Sequence, residues 1–309
     1  MESFLTAARA VYPMLAMILT GMLVRKLGMV TDGGLREMNR LVYTVFLPAL
    51  MFVNVLDSDF SAGVDWAFFV WPLVMIGVVF IVLMLAVPLL EKRADRRGVL
   101  VQAVFRSNFM VFGLAIVTSL YGSGRMGPIV LLAAVAVPLM NALSVVALAF
   151  FRGGRPEWRT IGLNVLKNPV IIATALAFAF KGLGIYPLPE VFYGFSKVAT
   201  PFALVVIGAS FTFQSVADFR PQLLWGVLGK LVLVPAAVLP VFIALGFRYE
   251  MLVALMAIFG GPSAASSFAM AQQMGGDGRL AASMVVFTST LSAASFFLWI
   301  FLLGMLGLI

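Results

Sequence analysis

The amino-acid sequence predicts an all-α polytopic membrane protein with ten transmembrane helices. Apolar residues make up 62% of the 309 residues, only 11% are charged, and the mean hydropathy is +1.08. A soluble chain is about 45–50% apolar by a similar count and about 25% charged. A soluble fold of this length could not bury so much apolar surface.

Ten apolar blocks are long enough to cross a bilayer as helices, since a hydrocarbon core of about 30 Å takes roughly 20 helical residues. The runs are continuous, whereas barrel strands would alternate in polarity, and short connections separate them. The blocks are residues 8–24, 38–56, 66–90, 99–121, 127–151, 161–183, 191–213, 222–246, 250–274 and 280–308.

Missing residue types exclude several chemistries. The chain has no Cys and no His, which removes disulfides, thiolate nucleophiles, Cys/His zinc sites and serine–histidine catalysis. An intramembrane aspartyl dyad needs two membrane aspartates, and Asp277 lies in a loop. We therefore expect no enzyme activity, no cofactor and no metal. The net charge of +8 does not indicate nucleic acid, because no basic run carries interleaved aromatic residues.

The distribution of Lys and Arg predicts that both termini lie outside. An even number of helices puts both ends on one side, and cytoplasmic loops carry the excess of positive charge. With the termini outside, the inner connections hold 14 of the 21 basic residues, Arg155 and Arg159 among them, and the outer segments hold five, Arg125 among them. The outer connection after the second block has no base and carries Asp59 and Asp65.

The two halves of the chain match at one offset. A shift of 154 residues aligns several landmarks, which supports two five-helix repeats, residues 1–155 and 156–309. Because five is odd, the repeats are inverted, an architecture of transporters whose substrate site lies near the midplane at broken helices. The aligned landmarks are Trp71 with Trp225, Asn108 with Pro262, residues 122–125 with 276–279 and, with one residue of slip, Pro48 with Pro201.

The ninth block carries the best-marked helix break, at Gly260, Gly261, Pro262 and Ser263. Pro262 lacks an N–H, its ring clashes with the carbonyl four residues earlier, and the glycines before it disfavour helix. Pro262 lies about 11 residues into the block, roughly 16 Å deep at the rise of a helix. Freed backbone groups are tolerated there only if they line a cavity or are buried in protein. The alternative is an ordinary proline kink without a ligand.

The fourth block carries Arg106, Ser107 and Asn108 about 13 Å along its helix. Ser and Asn disfavour helix interiors, and a polar triplet at mid-membrane is costly and usually functional. If both helices unwind, each leaves a half-helix N-terminus whose free N–H groups attract anions. We therefore predict that broken helices four and nine cross at mid-membrane.

Three polar positions have two interpretations each. Asn141, midway along the fifth block, faces the site or bonds a neighbouring helix. Lys230 in the eighth block either has a function, as a counter-charge for substrate or a coupling group, or extends its long stem to the membrane interface, and Arg106 has the same two interpretations. The pair Asn168-Pro169 predicts a helix start, with Asn as N-cap and Pro in the first turn.

Four segments together resemble the auxin efflux carrier family. They are KNPVIIATALAFAF, TPFALVVIGASF, GKLVLVP and GGPSAASSFAMAQQMGGD, and the resemblance covers nearly the whole chain. The family includes plant auxin exporters and bacterial carriers associated with malonate, malate and other organic acids. It is similar in fold to bile-acid/sodium symporters and sodium/proton antiporters. The resemblance implies scaffold helices 1, 2, 6 and 7 and transport helices 3–5 and 8–10.

Carried over residue by residue, the family's first crossover falls on Ser107 and Asn108, its second on Pro262 and Ser263, and its polar helix-five position near Asn141. Asn108 is then the expected substrate contact. This chain lacks the proline that many members have in the first crossover and the acidic residue that the plant carriers have in helix three. The plant coupling groups therefore do not transfer, and the resemblance does not make auxin the substrate.

The sequence thus predicts a secondary active transporter of small organic anions, mono- or dicarboxylates with auxin-like acids among the candidates, that works by alternating access. Its expected partners are its substrate and the lipid of a bacterial inner membrane, with room for a homodimer through the scaffold helices. The alternatives are a sodium-coupled symporter of larger, bile-acid-like anions, a channel, or a non-transporting sensor. No acidic residue lies at either break, and the sequence leaves the driving ion open.

Overall fold

The described part of the chain folds almost entirely into helices. The computed structural model describes residues 2–57, 66–122, 127–152, 162–163, 166–185, 189–212 and 214–309. Asp59, Asp65, Arg125, Arg155 and Arg159 lie outside the described residues, as does the boundary between the two predicted repeats.

The helices of the described residues are labelled in chain order. They are α1 (Glu2–Lys26), α2 (Asp32–Leu56), α3 (Trp66–Leu90), α4 (Ala94–Phe105), α5 (Phe109–Tyr121), α6 (Gly127–Phe151), α7 (Pro169–Gly182), α8 (Glu190–Ser210), α9 (Gln214–Asp218), α10 (Arg220–Ala244), α11 (Tyr249–Gly260), α12 (Ser266–Gln273) and α13 (Gly278–Met305).

Several continuous helices have the length and composition of membrane spans. Within the described residues, α2, α3, α8, α10 and α13 are each long and apolar enough to cross a bilayer. Much of α3 is exposed, and Val70, Trp71, Leu85 and Leu89 are among its outward side chains. Such surface is stable against lipid rather than water. The protein is therefore a polytopic integral membrane protein, as its composition predicts.

Two of the predicted spans are interrupted. The fourth block forms two helices: α4 ends at Phe105 and α5 begins at Phe109. The ninth block also forms two helices: α11 ends at Gly260 and α12 begins at Ser266. The interruptions fall where the residue types disfavour helix, at Ser and Asn in the first and at Gly and Pro in the second.

Pro235 lies inside α10 without breaking it. A wider π-helical turn, Gly229–Leu233, precedes it. Pro235 cannot donate to the carbonyl of Leu231, four residues earlier. That carbonyl instead accepts hydrogen bonds from Ser295 Oγ and Trp299 Nε1, both at 2.9 Å. Side chains of α13 thus satisfy the group that the proline leaves free and fix α13 against this turn.

The predicted start of α7 is confirmed. Asn168 Oδ1 accepts from the N–H groups of Val170 and Ile171 at 2.9 and 3.4 Å, and Pro169 is the first helical residue. Asn168 Nδ2 also donates to the hydroxyl of Tyr43 at 2.8 Å. The same side chain therefore caps α7 and joins it to α2.

Three connections meet at one end of the molecule. Arg96 forms an ion pair with Asp277 at 3.2 Å, and Arg279 forms one with Asp218 at 2.7 Å. Both guanidinium groups lie over the ring of Phe219, 4.7 and 5.6 Å from its centroid, close enough for cation–π attraction. These contacts join the third, seventh and ninth connections, which is consistent with their common side in the predicted topology.

Glycines allow α1 and α8 to cross in direct contact. Gly21 lies against the backbone carbonyl of Val205, and Gly208 lies against that of Ile18. A Cβ at either glycine would overlap the backbone of the other helix. Small residues at such contacts let membrane helices approach closely.

We expect Gly208→Ala to destabilise the protein by about 1–3 kcal/mol, the usual cost of overpacking. Gly194 lies on the same helix with no atom within 4 Å of an added Cβ, so Gly194→Ala is the matched control. That control should be neutral or slightly stabilising, because alanine favours helix by up to about 1 kcal/mol. Thermal unfolding in one detergent compares the two variants, and equal shifts would contradict the close contact.

Candidate functional site

The two helix breaks lie against each other. Ser107 and Ser263 form an isolated antiparallel β-bridge. The N–H of Asn108 donates to the carbonyl of Pro262 at 2.8 Å. Asn108 and Pro262, which the repeat offset aligns in the sequence, are thus in direct contact.

Each break satisfies a carbonyl near the end of the other broken helix. Ser263 Oγ donates to the carbonyl of Ala103 at 2.6 Å, and Ser107 Oγ donates to that of Ala257 at 3.0 Å. The last four carbonyls of a helix have no partner within it, and the bilayer core offers no water to replace them. The N–H of Ser263 donates in turn to Thr288 Oγ1 on α13 at 3.1 Å. Ser263 therefore supplies a bond that the first break removes, and Ser107 adds a second bond to a carbonyl that keeps the N–H of Gly261.

Gly261 permits this close approach. A Cβ at Gly261 would lie 2.5 Å from Ser107 Oγ and would overlap the carbonyl oxygen of Ala257. The contact between the two breaks therefore requires glycine at this position. Gly260 is less restricted, because an added Cβ would make ordinary contacts with Pro235 at 3.4 Å.

The place where the two breaks contact each other through Ser107, Asn108, Pro262 and Ser263 is called the crossing. A cavity of about 270 Å³ lies beside it. Its lining comes from α2 and α8, from the two breaks, and from α6. The lining residues are Leu47, Leu50, Met51, Asn54, Arg106, Ser107, Asn108, Phe109, Met110, Val137, Met140, Thr200, Ala203, Ala264, Ala265 and Ser266.

Arg106 gives the cavity its charge. It is only 4% exposed, and its guanidinium donates to Ser266 Oγ at 2.5 Å and to Met270 Sδ at 2.7 Å. In the amide orientation that satisfies both of its polar atoms, Gln102 accepts from Arg106 at 3.2 Å. All three partners are neutral. No acidic side chain in the described part of the chain forms an ion pair with Arg106, and none lines the cavity.

Asn108 lines the cavity with an unused amide. It occupies the N-cap position of α5 but makes no capping bond, and its buried Nδ2 has no hydrogen-bond partner among the described residues. The uncapped start of α5 therefore faces the cavity through Asn108, Phe109 and Met110. The start of α12, at Ser266, lines the same cavity. The helix dipole makes such ends attractive to anions. At the start of α12 the N–H groups of Ser267 and Phe268 already donate to the carbonyls of Ala264 and Ala265.

The rest of the lining is mostly apolar. Leucines of α2 and the methionines Met51, Met110 and Met140 contribute to it. Asn141 lies behind this wall, where it is 1% exposed and its Nδ2 donates to Met51 Sδ at 2.9 Å. Flexible thioether side chains adapt to the shape of a ligand. A cationic end joined to an apolar wall fits the chemistry of an organic anion.

The structure divides the predicted substrate residues into three groups. Arg106, Ser107 and Asn108 line the cavity. Pro262 and Ser263 form the crossing instead, and the residues that follow them, Ala264 to Ser266, line the cavity in their place. Sequence reasoning missed Ser266, whose position at a helix start after the break was the available signal.

Lys230 and Asn141 are buried but do not line the cavity. The contributions of α2 and α8 were also missed. Leu47 and Thr200 adjoin Pro48 and Pro201, which the repeat alignment paired, so that pairing was a signal for the site as well as for the repeat. Within the described residues, no group of three or more Asp or Glu is placed to hold a metal ion.

Apolar helices of membrane length around a buried, positively charged cavity are features of a membrane transport protein. The profile of the family described as membrane transport protein matches the chain over residues 6–159 and 155–300. The chain belongs to this family, which is that of the auxin efflux carriers. The family consists of transporters rather than enzymes. No curated protein matches the chain.

Ser263→Ala is expected to cost more stability than Ser107→Ala. Loss of Ser263 Oγ leaves the carbonyl of Ala103 with no other donor among the described residues, a cost of about 1–3 kcal/mol. The carbonyl of Ala257 keeps the N–H of Gly261 at 3.0 Å, so Ser107→Ala should cost about 0.5–1.5 kcal/mol. Thermal unfolding of both variants tests the order, and a reversed order would show that the two bonds are not used as described.

Proposed function

We propose that this protein is a secondary active transporter of small organic anions that works by alternating access. The observation that carries the proposal is Arg106, a buried guanidinium that lines the cavity and has only neutral partners. A substrate carboxylate supplies the negative charge that this group lacks.

An unpaired arginine inside a membrane protein is costly. Insertion scales assign about 2.5–3.5 kcal/mol to a base at a helix centre, and arginine cannot escape this cost by releasing its proton. Ser266 and Met270 hold the guanidinium in place without neutralising it. Arginine pairs with carboxylate through two parallel hydrogen bonds, so a bound carboxylate both neutralises Arg106 and is oriented by it.

Two further groups support a carboxylate at this place. The unpartnered Nδ2 of Asn108 is a donor beside Arg106. The uncapped start of α5 behaves like about half a positive charge, and the start of α12 adds a second end of the same sign. Together these groups favour an anion over a cation or a neutral solute.

The size of the cavity favours small substrates. Its volume of about 270 Å³ lies at the lower limit of small-molecule sites, which span roughly 300–1,000 Å³. The apolar lining accepts a short hydrocarbon chain or one ring. The larger, bile-acid-like anions of the alternative interpretation gain no support from this cavity.

The proposed cycle uses two inverted five-helix repeats, residues 1–155 and 156–309, whose broken helices cross at mid-membrane. In this scheme α1, α2, α7 and α8 form a scaffold, and α3–α6 and α10–α13 form a transport domain. The cavity lining supports the scheme, because α2 and α8 contribute to it together with both breaks. Movement of one group against the other would expose Arg106 to one side of the membrane at a time.

We place the protein in a bacterial inner membrane. Both of its termini lie on the outer side, because cytoplasmic connections carry the excess of positive charge. The chain has no native Cys, so single cysteines test this directly. Arg152→Cys, at an exposed position after α6, should react with a membrane-impermeant maleimide only from the inside. Leu183→Cys, 75% exposed after α7, is the matched control and should react from the outside. Labelling of Arg152→Cys from the outside would reverse the topology.

Arg106→Gln should weaken carboxylate binding at least tenfold, because a hydrogen bond to a charged group is worth about 1.5–3 kcal/mol and 1.4 kcal/mol is tenfold in affinity. Asn108→Ala should weaken it by a similar or smaller factor. The measurement is thermal stabilisation of the purified protein by acetate, malonate, malate and benzoate, with and without sodium. Saturating uptake of the binding acid into proteoliposomes then separates a carrier from a channel, and any uptake excludes a sensor that does not transport.

The control for these variants is Asn39→Ala, which removes a buried asparagine that does not line the cavity and should leave affinity unchanged. Benzamide, the neutral analogue of benzoate, should not compete. If benzamide competes as well as benzoate and Arg106→Gln transports normally, the anion site is wrong. If none of the four acids binds the wild-type protein, the proposed function is wrong.

A further inference from the structure

Lys230 is a fully buried amine that the carboxylate site does not use. It lies in the π-helical turn Gly229–Leu233 of α10, is 0% exposed, and its Nζ has no hydrogen-bond partner among the described residues. It does not line the cavity. Within the described residues, no acidic side chain forms an ion pair with it.

A buried lysine can lose its charge, and a buried arginine cannot. Burial disfavours the charged form of any side chain, and lysine responds by releasing a proton, whereas the guanidinium of Arg106 stays charged. Two positive charges in one low-dielectric interior also repel each other. With the cavity empty, the neutral amine is therefore the favoured form of Lys230.

The turn that carries Lys230 packs beside the segment that carries Arg106. A Cβ added at Gly229 would lie 3.5 Å from Val104 Cγ1, and Val104 precedes Arg106 by two residues. The amine and the guanidinium thus belong to adjoining segments of one buried region. A change of charge at Arg106 therefore changes the energy of a proton on Lys230.

The face of α13 against this turn carries hydroxyl groups. Ser295 Oγ and Trp299 Nε1 bond to the carbonyl of Leu231, beside Lys230. Ser289 and Ser292 follow the same face at helical spacing, both 0% exposed, and Ser289 Oγ has no partner among the described residues. Hydroxyls donate and accept, so they suit both an amine and an ammonium.

Arg106 belongs to a segment that adjoins the turn of Lys230. The other charged groups on the helices packed against the turn lie at helix ends, and several are already paired, as Arg93 is with Asp95, Arg96 with Asp277 and Arg279 with Asp218. These end groups are Asp95, Arg96 and Arg97 of α4, Arg220 of α10, Glu250 of α11 and Arg279 of α13.

We propose that Lys230 is a proton-binding site coupled to the carboxylate site. When a carboxylate neutralises Arg106, the amine of Lys230 takes one proton from the buffer acid in solution and becomes an ammonium, and release of the carboxylate returns that proton to the buffer base. One proton then accompanies each carboxylate, so a monoanion is carried without net charge. This inference rests on the proposed function, because it needs an anion at Arg106.

Calorimetry of the purified wild-type protein counts this proton. Acetate, malonate, malate and benzoate are titrated at about pH 7.5, where carboxyl groups are ionised, in phosphate and in Tris, whose ionisation enthalpies differ. The binding acid should bring about one proton into the protein. The affinity of the protein for this acid should fall about tenfold per pH unit above the pH at which Lys230 of the empty protein loses its proton. Binding that takes up one proton has this dependence on pH.

Two variants assign the proton to Lys230. Lys230→Met keeps the apolar stem and removes the amine, and Lys230→Arg keeps the charge permanently. Both should bind carboxylate without proton uptake and with an affinity that does not change with pH. Lys181→Met is the matched control, because the ammonium of Lys181 donates to the carbonyl of Leu56 at 2.8 Å away from the cavity. It should keep the uptake of one proton.

The outcomes separate the two proposals. Carboxylate binding to the wild-type protein without proton uptake overturns the role of Lys230 and leaves the proposed function standing. Undiminished proton uptake in Lys230→Arg, or in Lys230→Met, overturns it in the same way. If none of the four acids binds the wild-type protein, the proposed function and this inference both fail.

Discussion

Hydrogen bonds across the crossing are the constraint on which the rest of the structure depends. A helix broken inside a bilayer leaves carbonyl and N–H groups that no water is present to satisfy. Here Ser263 bonds to the carbonyl of Ala103, Ser107 bonds to that of Ala257, and the N–H of Asn108 bonds to Pro262. Each break is tolerable because the other one completes it. The cavity beside them exists because both helices open at the same level.

The crossing also separates polar groups that hold the structure from polar groups that are left for a ligand. The hydroxyls of Ser107 and Ser263 are engaged by carbonyls. The guanidinium of Arg106, the amide of Asn108 and the start of α5 keep unused capacity, and all of them line the cavity. A positively charged site thus forms from one side chain and from backbone that would be satisfied in an unbroken helix.

The positions of the breaks could be predicted from the sequence because their causes are local. Pro262 acts on its own helix, and Ser107 and Asn108 act on theirs. The difference between Arg106 and Lys230 could not be predicted, since each is a single base in an apolar block. Only the fold places the first beside the cavity and the second in a buried π-helical turn that does not line it. The lining from α2 and α8 arises from packing between distant segments, which periodicity does not encode.

The reciprocal serine bonds also set the point in synthesis at which the two breaks can first pair. Ser107 can bond to Ala257 only after 150 further residues have been made, and Ala103 can bond to Ser263 only after 160. At roughly 5–20 residues per second, a ribosome takes about 8–30 s to make that length. During this interval the first half of the nascent chain occupies the bilayer with an open break. The break between α4 and α5 therefore stays without its partner until the segment that carries Ala257 and Ser263 has been made.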